Sequence, residues 1–428
     1  MKPSISFYTL GCRLNQSETA SIEQSFQSAK YKVVDFNDPA DVVVINTCTV
    51  TENGDADTRR IVNKINRMNP DVRIALVGCQ AQIQKKKLTE LPNVKWVVGN
   101  ANKMDFLSIL DKGGLLDEPQ VIAPTIPRHS FTIPIASVDT KHTRANIKIQ
   151  DGCDFFCSFC EIPYARGRAR SRKFNDILLE ANTLVDAGHR ELVITGINVG
   201  TYKQNQKTLL DVINALEQID GLERIRISSI EPTTIPFALI KKMTKTSKLC
   251  RYLHIPLQSG EDHILQLMKR KYTLDEFQSF INQAYDMVPE ICIGTDIIVG
   301  FPGETERVFK KGEEFLRESK INYFHVFSYS NRYMAKAQYF DSQINPGIIS
   351  QRSQSLRNLS QRKRRMYYES LLNTEQKVLF EQFKDYRWSG LTDNYVRVEV
   401  ESTDNLSNQI RNVRLQTISK VGILGCVC

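Results

Sequence analysis

Short apolar runs alternate with amphipathic segments along the first quarter of the chain. Helical periodicity covers 18–29 and 58–68, whereas the apolar runs around them do not alternate with polar residues. These runs are 5–10, 42–46, 74–77 and 94–98. Unbroken apolar runs of this length are typical of strands buried on both faces of a parallel sheet. We therefore predict an N-terminal domain, residues 1–112, with an open parallel α/β sheet.

Residues 113–138 interrupt this pattern with glycines and prolines and predict a connection between domains. Strand–helix units then resume at intervals of roughly 30–45 residues, which suits parallel βα repeats better than hairpins. The predicted strands are 146–149, 191–195, 224–228, 252–255, 295–299 and 323–327. Six such units predict a partial (β/α)6 barrel over residues 139–368, with its active site at the carboxyl ends of the strands.

The last part of the chain changes its period again. Residues 347–372 have the pattern of a long charged helix, and short alternating segments such as 395–400 follow it. Short strands with polar turns are typical of small barrels. We predict a small C-terminal β-barrel over residues 369–428, so the fold class is α/β with an appended β domain.

Composition narrows the class of protein. The chain has 428 residues, of which 41% are hydrophobic and 25% charged, as in soluble globular proteins of about three domains. No apolar run is as long as a bilayer span, and the first residues do not form a signal-peptide pattern. We therefore expect a cytoplasmic protein whose ten cysteines are thiols or metal ligands rather than a disulfide framework.

Three cysteines stand close together directly after the first predicted barrel strand. Cys153, Cys157 and Cys160, here called the loop triad, have the spacing C-x3-C-x2-C. Three thiolates on one loop can hold three irons of a cubane cluster and leave the fourth iron open to a ligand. A structural zinc site needs four ligands, and only His142, upstream, offers a nearby fourth. The spacing favours a cluster with an open iron, and zinc remains the alternative.

Three further cysteines each follow a predicted strand of the N-terminal domain. Cys12, Cys48 and Cys79, here called the N-terminal triad, lie within two residues of the strand ends. The carboxyl ends of parallel strands lie at one edge of a sheet, where ligands bind. The N-terminal triad is therefore predicted to converge and form a second three-cysteine cluster site.

Basic residues crowd the segment after the loop triad, within a chain of net charge +9. Arg166, Arg168, Arg170 and Arg172 alternate, so an extended backbone would place them on one face. A face of four positive charges is best neutralised by phosphates. We predict that this face binds a polyanion next to the loop triad.

At this point the residues resemble a known family. The loop triad followed by PYARGR at 163–168 resembles the radical S-adenosylmethionine signature of the methylthiotransferases. The segments TLGCRLNQSET at 9–19 and INTCTVT at 45–51 resemble the branch that modifies N6-threonylcarbamoyladenosine in tRNA. Strand-end segments at 228–232, 256–260 and 294–304 match the family as well.

The resemblance implies two [4Fe–4S] clusters and S-adenosylmethionine as cofactors. The cluster on the loop triad would bind the cofactor's amino and carboxylate groups and supply a 5′-deoxyadenosyl radical, chemistry that side chains cannot provide. The cluster on the N-terminal triad would carry the sulfur. Cofactor contacts are expected at Phe159, Gly196, Asn198, Ser229, Glu231, Gln258, Asp296 and Gly300.

The resemblance also implies the reaction and its partners. It implies conversion of N6-threonylcarbamoyladenosine, next to the anticodon, to its 2-methylthio derivative. The partners would be the tRNA anticodon stem-loop, an electron donor of flavodoxin or ferredoxin type and a sulfur donor, with no membrane. The central barrel would be a radical S-adenosylmethionine domain and the C-terminal barrel a TRAM-like RNA-binding module. RNA contacts are expected at Arg166, Arg168, Arg170 and Arg332.

Two departures from the family pattern leave alternatives open. Met334 and Ala335 stand where the family has a Gly-Thr pair, and Glu161 follows the last cysteine where a small or apolar residue is usual. The alternatives are another tRNA adenosine such as isopentenyladenosine, a ribosomal protein side chain, and an RNA-binding iron–sulfur redox sensor. His254 and His325 are interpreted as core histidines.

Overall fold

A parallel six-stranded sheet forms the N-terminal domain. The computed structural model describes residues 2–27, 29–49, 52–113, 118–133, 143–244 and 247–428. The strands in chain order are β1 (Ser4–Thr9), β2 (Lys32–Val33), β3 (Val42–Thr47), β4 (Arg73–Gly78), β5 (Val94–Val98) and β6 (Gln120–Ile122). They lie in the order β2-β1-β3-β4-β5-β6, and every neighbouring pair is parallel. The predicted open parallel α/β sheet is confirmed.

Helices cover both faces of this sheet, and the central strand β3 is buried for that reason. The helices are α1 (Arg13–Gln27), α2 (Glu52–Met68), α3 (Cys79–Ile83), α4 (Lys85–Thr89) and α5 (Phe106–Gly113). All six residues of β3 are buried. Alternate residues of the sheet pack into two separate cores, one on each face.

The predicted connection contributes a strand that the sequence did not indicate. β6 pairs with β5 at the edge of the sheet, with Trp96 opposite Gln120. Pro119 and Pro124 flank it, and proline is tolerated beside an edge strand because the outer amides have no partner. The remaining parts of the connection at 114–117 and 134–138 lie outside the described residues, as do His142 and residues 50 and 51 of the second family motif.

The central domain is a six-stranded partial barrel, as predicted. Its main strands are β7 (Arg144–Lys148), β10 (Glu191–Thr195), β13 (Arg224–Ile227), β14 (Tyr252–His254), β15 (Cys292–Val299) and β16 (Tyr323–Ser328). The parallel orders β7-β10-β13 and β14-β15-β16 form two halves. Ile225 joins the halves, because its carbonyl accepts from the Cys250 amide at 2.9 Å.

Shorter elements and helices complete this domain. The short strands are β8 (Gln150–Asp151), β9 (Arg170–Ser171), β11 (Lys203–Gln204) and β12 (Lys207–Thr208). The helices are α6 (Ile162–Arg166), α7 (Phe174–Asp186), α8 (Leu209–Glu217), α9 (Phe237–Met243), α10 (Asp262–Leu267), α11 (Leu274–Met287), α12 (Glu306–Glu318) and α13 (Pro346–Ser370). Most of them pack on the outside of the strands and bury one large apolar core.

A closed five-stranded barrel follows α13, as predicted. Its strands are β17 (Glu375–Lys384), β18 (Arg387–Thr392), β19 (Arg397–Val400), β20 (Ile410–Ile418) and β21 (Ile423–Val427). Arg224 and Arg226, on β13, donate hydrogen bonds to backbone carbonyls at the end of β18 and in the loop after it. The acceptors are Leu391, Thr392 and Asp393. Arg251 binds both carboxylate oxygens of Asp393 at 2.7 and 3.0 Å. These arginines dock the small barrel at the amino ends of β13 and β14, away from the loop triad.

Within the described part of the chain, no helix has both the length and the hydrophobicity needed to cross a membrane.

Candidate active site

The loop triad lies on a tight loop between β8 and α6. Gly152 opens this loop with φ +69°, and a Cβ at that position would lie 2.1 Å from the carbonyl oxygen of Arg168. Only glycine fits there, because both the left-handed backbone and the close approach exclude a side chain. Three free thiols then follow within eight residues, at Cys153, Cys157 and Cys160.

Each sulfur of the loop triad accepts one hydrogen bond from the protein. The amides of Phe155 and Ile162 donate to the Sγ atoms of Cys153 and Cys160, at 3.5 and 3.4 Å. Arg270 Nη1 donates to Cys157 Sγ at 3.3 Å. Such donors stabilise sulfur that carries negative charge, as metal-bound thiolate does.

Burial raises the pKa of all three thiols of the loop triad, that of Cys153 to about 11. At neutral pH the free thiols therefore stay protonated, and a bound metal must supply the positive charge that stabilises three thiolates. Among the described residues, neither cysteine triad brings three sulfurs within 4.8 Å of one another. A single zinc ion, with Zn–S bonds of about 2.3 Å, needs closer sulfurs, so this donor set fits a larger cluster better.

Arg270 is a site residue that the sequence did not indicate, because it stands in a basic run that resembles a solvated surface. It is buried, forms an ion pair with Glu231 and donates to the Pro256 carbonyl at 3.1 Å. Burial raises the pKa of the Glu231 carboxyl, and Arg270 opposes this shift. Arg270 thereby connects the predicted cofactor residue Glu231 with Cys157.

Three of the predicted cofactor residues line one cavity of about 170 Å³ at the carboxyl ends of the barrel strands. They are Phe159, Gln258 and Asp296, and we call this space the rim cavity. Gln258 has φ +75°, a left-handed conformation that costs free energy for a residue with a side chain. Strain of this kind concentrates at functional sites. The rest of the lining is Ile298, Phe327, Ser328, Tyr329, Ser330 and Arg332.

Four other predicted cofactor residues do not line the rim cavity. Asn198 accepts from the Thr234 hydroxyl at 2.9 Å. A Cβ on Gly196 or Gly300 would crowd neighbouring atoms at 3.0 and 2.3 Å, respectively. Ser229 shares the strand-end loop of Glu231. Cofactor contacts at these four positions stay a prediction.

The N-terminal triad gathers at the carboxyl edge of the first sheet. Cys12, Cys48 and Cys79 follow β1, β3 and β4, which are neighbours in the sheet. A Cβ on Gly11, at φ +91°, would lie 2.7 Å from the Sγ of Cys48, so this glycine lets the first loop pass against the second. Asn100 Nδ2 lies 3.5 Å from Cys79 Sγ.

The electrostatics of Cys12 indicate that Cys79 lies close to it. Desolvation around the sulfur raises the pKa of the Cys12 thiol, although the residue as a whole is exposed. Arg166 opposes that shift, and the nearby charge of Cys79 adds to it.

A buried network of charges joins the N-terminal triad to the loop triad. Glu18, on α1, binds Arg166 at 2.9 Å and Lys148 at 2.6 Å, and also pairs with Lys103. Asp151 binds Arg166 at 3.0 Å from the barrel side. Burial opposes ionisation of Glu18, but the three cations hold the pKa of its carboxyl well below its ordinary value.

A second buried network gives Glu161 a structural role. Its carboxylate accepts from the Thr49 hydroxyl at 2.8 Å and from the Met334 amide at 2.7 Å. Arg332 binds the same carboxylate at 3.3 Å and Asp55 at 2.8 Å. Because Glu161 follows Cys160 and Thr49 follows Cys48, this network ties one loop of each triad together.

The prediction of a shared phosphate-binding face is wrong, because the arginines find carboxylate partners. Arg166 ends α6, and Gly167 turns the chain with φ +77°, so the run is not extended. Arg166 is buried in the Glu18 network, and Arg170 donates to Asp151 at 3.2 Å. Arg172 and Arg332 are buried and ion-paired as well. These four positions are not available to RNA phosphates.

Arg168 differs from its neighbours. Its side chain is 47% exposed, and it pairs with the equally exposed Asp154 at 3.3 Å. Its guanidinium also lies 4.4 Å from the centroid of the Phe156 ring. Arg168 therefore keeps the predicted accessibility beside the loop triad.

Two histidines point into the lumen, the space enclosed by the barrel strands. His254, Asp296 and His325 offer ligand atoms that all lie within 4.8 Å of one another. His254 is buried and its Nε2 lies 3.0 Å from Asp296, so the expectation of a satisfied core histidine is confirmed for it. His325 is exposed, and the same expectation is wrong there.

Comparison with known proteins finds matches for both domains that carry the cysteine triads. Residues 4–99 match the uncharacterized protein family UPF0004, and residues 147–316 match the radical SAM superfamily. A threonylcarbamoyladenosine tRNA methylthiotransferase MtaB from Bacillus subtilis is 36% identical, over 96% of this chain and 93% of that protein. The MtaB of Aquifex aeolicus is also 36% identical, over 95% and 99%.

Solved structures share the fold. A radical S-adenosylmethionine methyltransferase, TsrM, from Kitasatospora setae superposes with a TM-score of 0.57 at 14% identity, covering 79% of this chain and 77% of that one. At this identity the likeness concerns the fold alone. Taken with the relatives that are 36% identical over nearly their full length, the chain belongs to the radical S-adenosylmethionine tRNA methylthiotransferase family.

Proposed function

We propose that this protein is a tRNA methylthiotransferase that converts N6-threonylcarbamoyladenosine next to the anticodon to its 2-methylthio derivative. One observation carries the proposal: two cysteine triads lie in two different domains, and buried networks centred on Glu18 and Glu161 hold these domains together. A reaction that generates a radical at one centre and delivers sulfur from another needs the two held at a set separation. The relatives that are similar over nearly their full length are named for threonylcarbamoyladenosine, and this supports the substrate.

Family membership implies a [4Fe–4S] cluster and S-adenosylmethionine, and the residues of the loop triad fit that cluster. When bound, this pair supplies a 5′-deoxyadenosyl radical, which no side chain can generate. The side chains of the protein position the cofactor and exclude water from it. Phe159 offers a ring for stacking the adenine, and Gln258 and Asp296 offer polar groups to the ribose and methionyl parts, in the rim cavity.

The N-terminal triad holds a second cluster in this proposal, which carries the sulfur. Gly11 and Asn15 shape the loop around it, since Asn15 donates to the carbonyls of Leu10 and Thr47 at 2.7 and 3.2 Å. Cleavage of S-adenosylmethionine consumes an electron, and each insertion consumes a sulfur. The proposal therefore includes an electron donor of flavodoxin or ferredoxin type and a sulfur donor, with the tRNA anticodon stem-loop as substrate.

Replacing Cys48 with Ala is expected to separate the two roles of the site. The loop triad stays intact, so reductive release of 5′-deoxyadenosine should remain measurable, whereas formation of the methylthio nucleoside should be abolished. Both products are measured by mass spectrometry after anaerobic reconstitution with substrate tRNA. Cys426→Ala, at an exposed cysteine of the C-terminal barrel, is the matched control. A folded Cys48→Ala protein that no longer cleaves the cofactor would contradict this division.

Replacing Arg168 with Ala is expected to weaken tRNA binding similarly for different tRNAs and to lower the salt slope by about one, because one phosphate contact is lost. Arg190→Ala is the control, since Arg190 is 41% exposed and ion-paired in the same way, but precedes β10 at the opposite end of the barrel. Binding titrations at several salt concentrations measure the slope.

An unchanged slope for Arg168→Ala would place the RNA path elsewhere. The alternative is a polar cavity of about 360 Å³ where Arg13, Arg144 and Arg397 meet, between the N-terminal domain, β7 and the C-terminal barrel. Arg13 follows Cys12 and donates to the hydroxyl of Tyr395 at 2.8 Å. It therefore connects this cavity with the N-terminal triad.

A further inference from the structure

Arg270 joins the loop triad to the interior of the barrel through a charged hydrogen bond. Two of the three sulfurs accept from neutral backbone amides, whereas Cys157 Sγ accepts from the guanidinium of Arg270 at 3.3 Å. Burial raises the pKa of the Cys157 and Cys160 thiols, and the charge of Arg270 opposes both shifts. The positive charge of Arg270 therefore acts on at least two sulfurs of the loop triad.

The backbone holds Arg270 and the loop triad in a fixed relation. Within the cysteine loop, Ser158 donates from its amide to the Met268 carbonyl at 3.1 Å and from its hydroxyl to the Leu267 carbonyl at 2.8 Å. These two carbonyls stand at the end of α10. Lys269 is exposed and turns the chain with φ +60°, and the next residue, Arg270, is buried. The contact between guanidinium and sulfur is thus supported by the backbone on both sides.

Every nitrogen of this guanidinium has a partner. Nε donates to the Tyr272 hydroxyl at 3.0 Å, while Nη2 donates to the Pro256 carbonyl at 3.1 Å and pairs with Glu231. Nη1 is the nitrogen that contacts Cys157. Burial favours loss of the proton, but Glu231 and the other partners raise the pKa of Arg270 above its ordinary value. Arg270 therefore keeps its charge at neutral pH.

A positive charge in this position changes the energetics of reduction. A [4Fe–4S] cluster gains one negative charge when it is reduced, so hydrogen bonds and positive charge at its sulfurs favour the reduced state. The carboxylates of Glu231 and Asp154 act in the opposite sense on Cys153. Asp154 is 51% exposed, where water screens its charge, whereas Arg270 is buried and in direct contact with a sulfur. The effect of Arg270 is therefore expected to dominate.

We propose that Arg270 is a positioning residue that raises the reduction potential of the cluster on the loop triad, so that the electron donor can reduce this cluster. The inference rests on the proposed function and adds the residue that matches the cluster to its donor of flavodoxin or ferredoxin type. The reduced donor loses the one electron that the cluster gains, and no bond forms or breaks at Arg270.

The test measures the reduction potential of one cluster in the full-length protein. The three cysteines of the N-terminal triad are replaced with Ala, so that only the loop triad is loaded on anaerobic reconstitution. Electron paramagnetic resonance follows the reduced cluster in a redox titration. Arg270→Met should lower the potential, and the ratio of reduced to oxidised cluster at a fixed potential should fall about tenfold, the effect of one hydrogen bond to a charged group. Lys269→Met and Lys271→Met, at exposed neighbours, are the matched controls.

Arg270→Lys separates the charge from the hydrogen-bond geometry. Lysine keeps the positive charge but cannot reproduce the planar fork that contacts Cys157, Glu231 and Tyr272 together. We therefore expect a ratio between those of the unsubstituted and the Arg270→Met proteins. Iron analysis and circular dichroism check that each variant is loaded and folded.

An unchanged or higher ratio in iron-loaded Arg270→Met protein overturns the inference. If only the Arg270→Lys protein holds iron, a ratio equal to that of arginine overturns it likewise. Loss of the cluster from both variants also overturns it, because Arg270 would then build the site rather than set its potential. Failure of the proposed function would look different. The wild-type protein would then form no methylthio nucleoside, while this titration, which contains neither tRNA nor S-adenosylmethionine, would still show the shift.

Discussion

Replacing Cys153, Cys157 and Cys160 together with Ala is expected to remove about half of the iron and all cleavage of S-adenosylmethionine. Two cubane sites correspond to about eight irons in the reconstituted protein, so loss of the loop triad should leave about four. Cleavage should stop entirely, because the N-terminal triad lies in the other domain and does not line the rim cavity. Iron analysis and 5′-deoxyadenosine release under anaerobic reducing conditions provide the two readouts.

Two cysteines near the C-terminus provide a matched control for the triple variant. Replacing the exposed Cys426 and Cys428 with Ala also removes thiols but should change neither iron content nor cleavage. Stoichiometric zinc without iron in the wild-type protein would contradict the assignment of both triads. Cleavage that survives in the triple variant would contradict the assignment of the loop triad alone.

Replacing Glu18 with Ala is expected to lower the free energy of unfolding by about 3–5 kcal/mol, the range for breaking a buried ion pair on one side. Its side chain is fully buried and is the shared partner of Arg166, Lys103 and Lys148. Without it, three cations remain in the interior with Asp151 as the nearby carboxylate. Loss of the Glu18 carboxylate should destabilise the N-terminal domain and should also separate this domain from the barrel.

Tryptophan fluorescence offers a local readout of this change. Trp96 is buried in the N-terminal sheet, and the chain's other tryptophan, Trp388, lies in the C-terminal barrel. Urea unfolding followed in a Trp388→Phe background therefore reports on the N-terminal domain. Glu90→Ala, at an exposed glutamate of the same domain, is the control. An equal urea midpoint for the Glu18→Ala and Glu90→Ala proteins would show that the Glu18 network does not stabilise the N-terminal domain.

The pH dependence should follow from the same carboxylate. The folded protein holds the pKa of Glu18 well below its ordinary value of 4.5. The contribution of this carboxylate to the free energy of unfolding is therefore complete above pH 4.5 and is lost as the pH falls through the lower folded pKa. The stability difference between the wild-type and Glu18→Gln proteins should therefore be constant near neutral pH and shrink on acidification. A difference that grows on acidification would contradict the assigned charge state.

The hydrophobic pattern by itself determined where the main strands lie along the chain. Strands buried on both faces need unbroken apolar runs, and β3 is buried along its whole length. The same pattern did not reveal β6, because a strand of three residues beside prolines has no periodicity to detect. Cysteine spacing determined the loop triad directly. It determined the N-terminal triad through one added rule, that parallel strands end at a common edge.

Only the tertiary structure decided which charged residues are free. Arg166 and Arg168 stand two residues apart and are equivalent in sequence, yet Arg166 is buried against Glu18, which is 148 residues away, and Arg168 is exposed. Glu161 likewise finds Arg332, 171 residues away. Periodicity indicates whether a position is buried, but a buried charge is tolerated only where a distant segment brings its partner, and that meeting is a property of the folded chain.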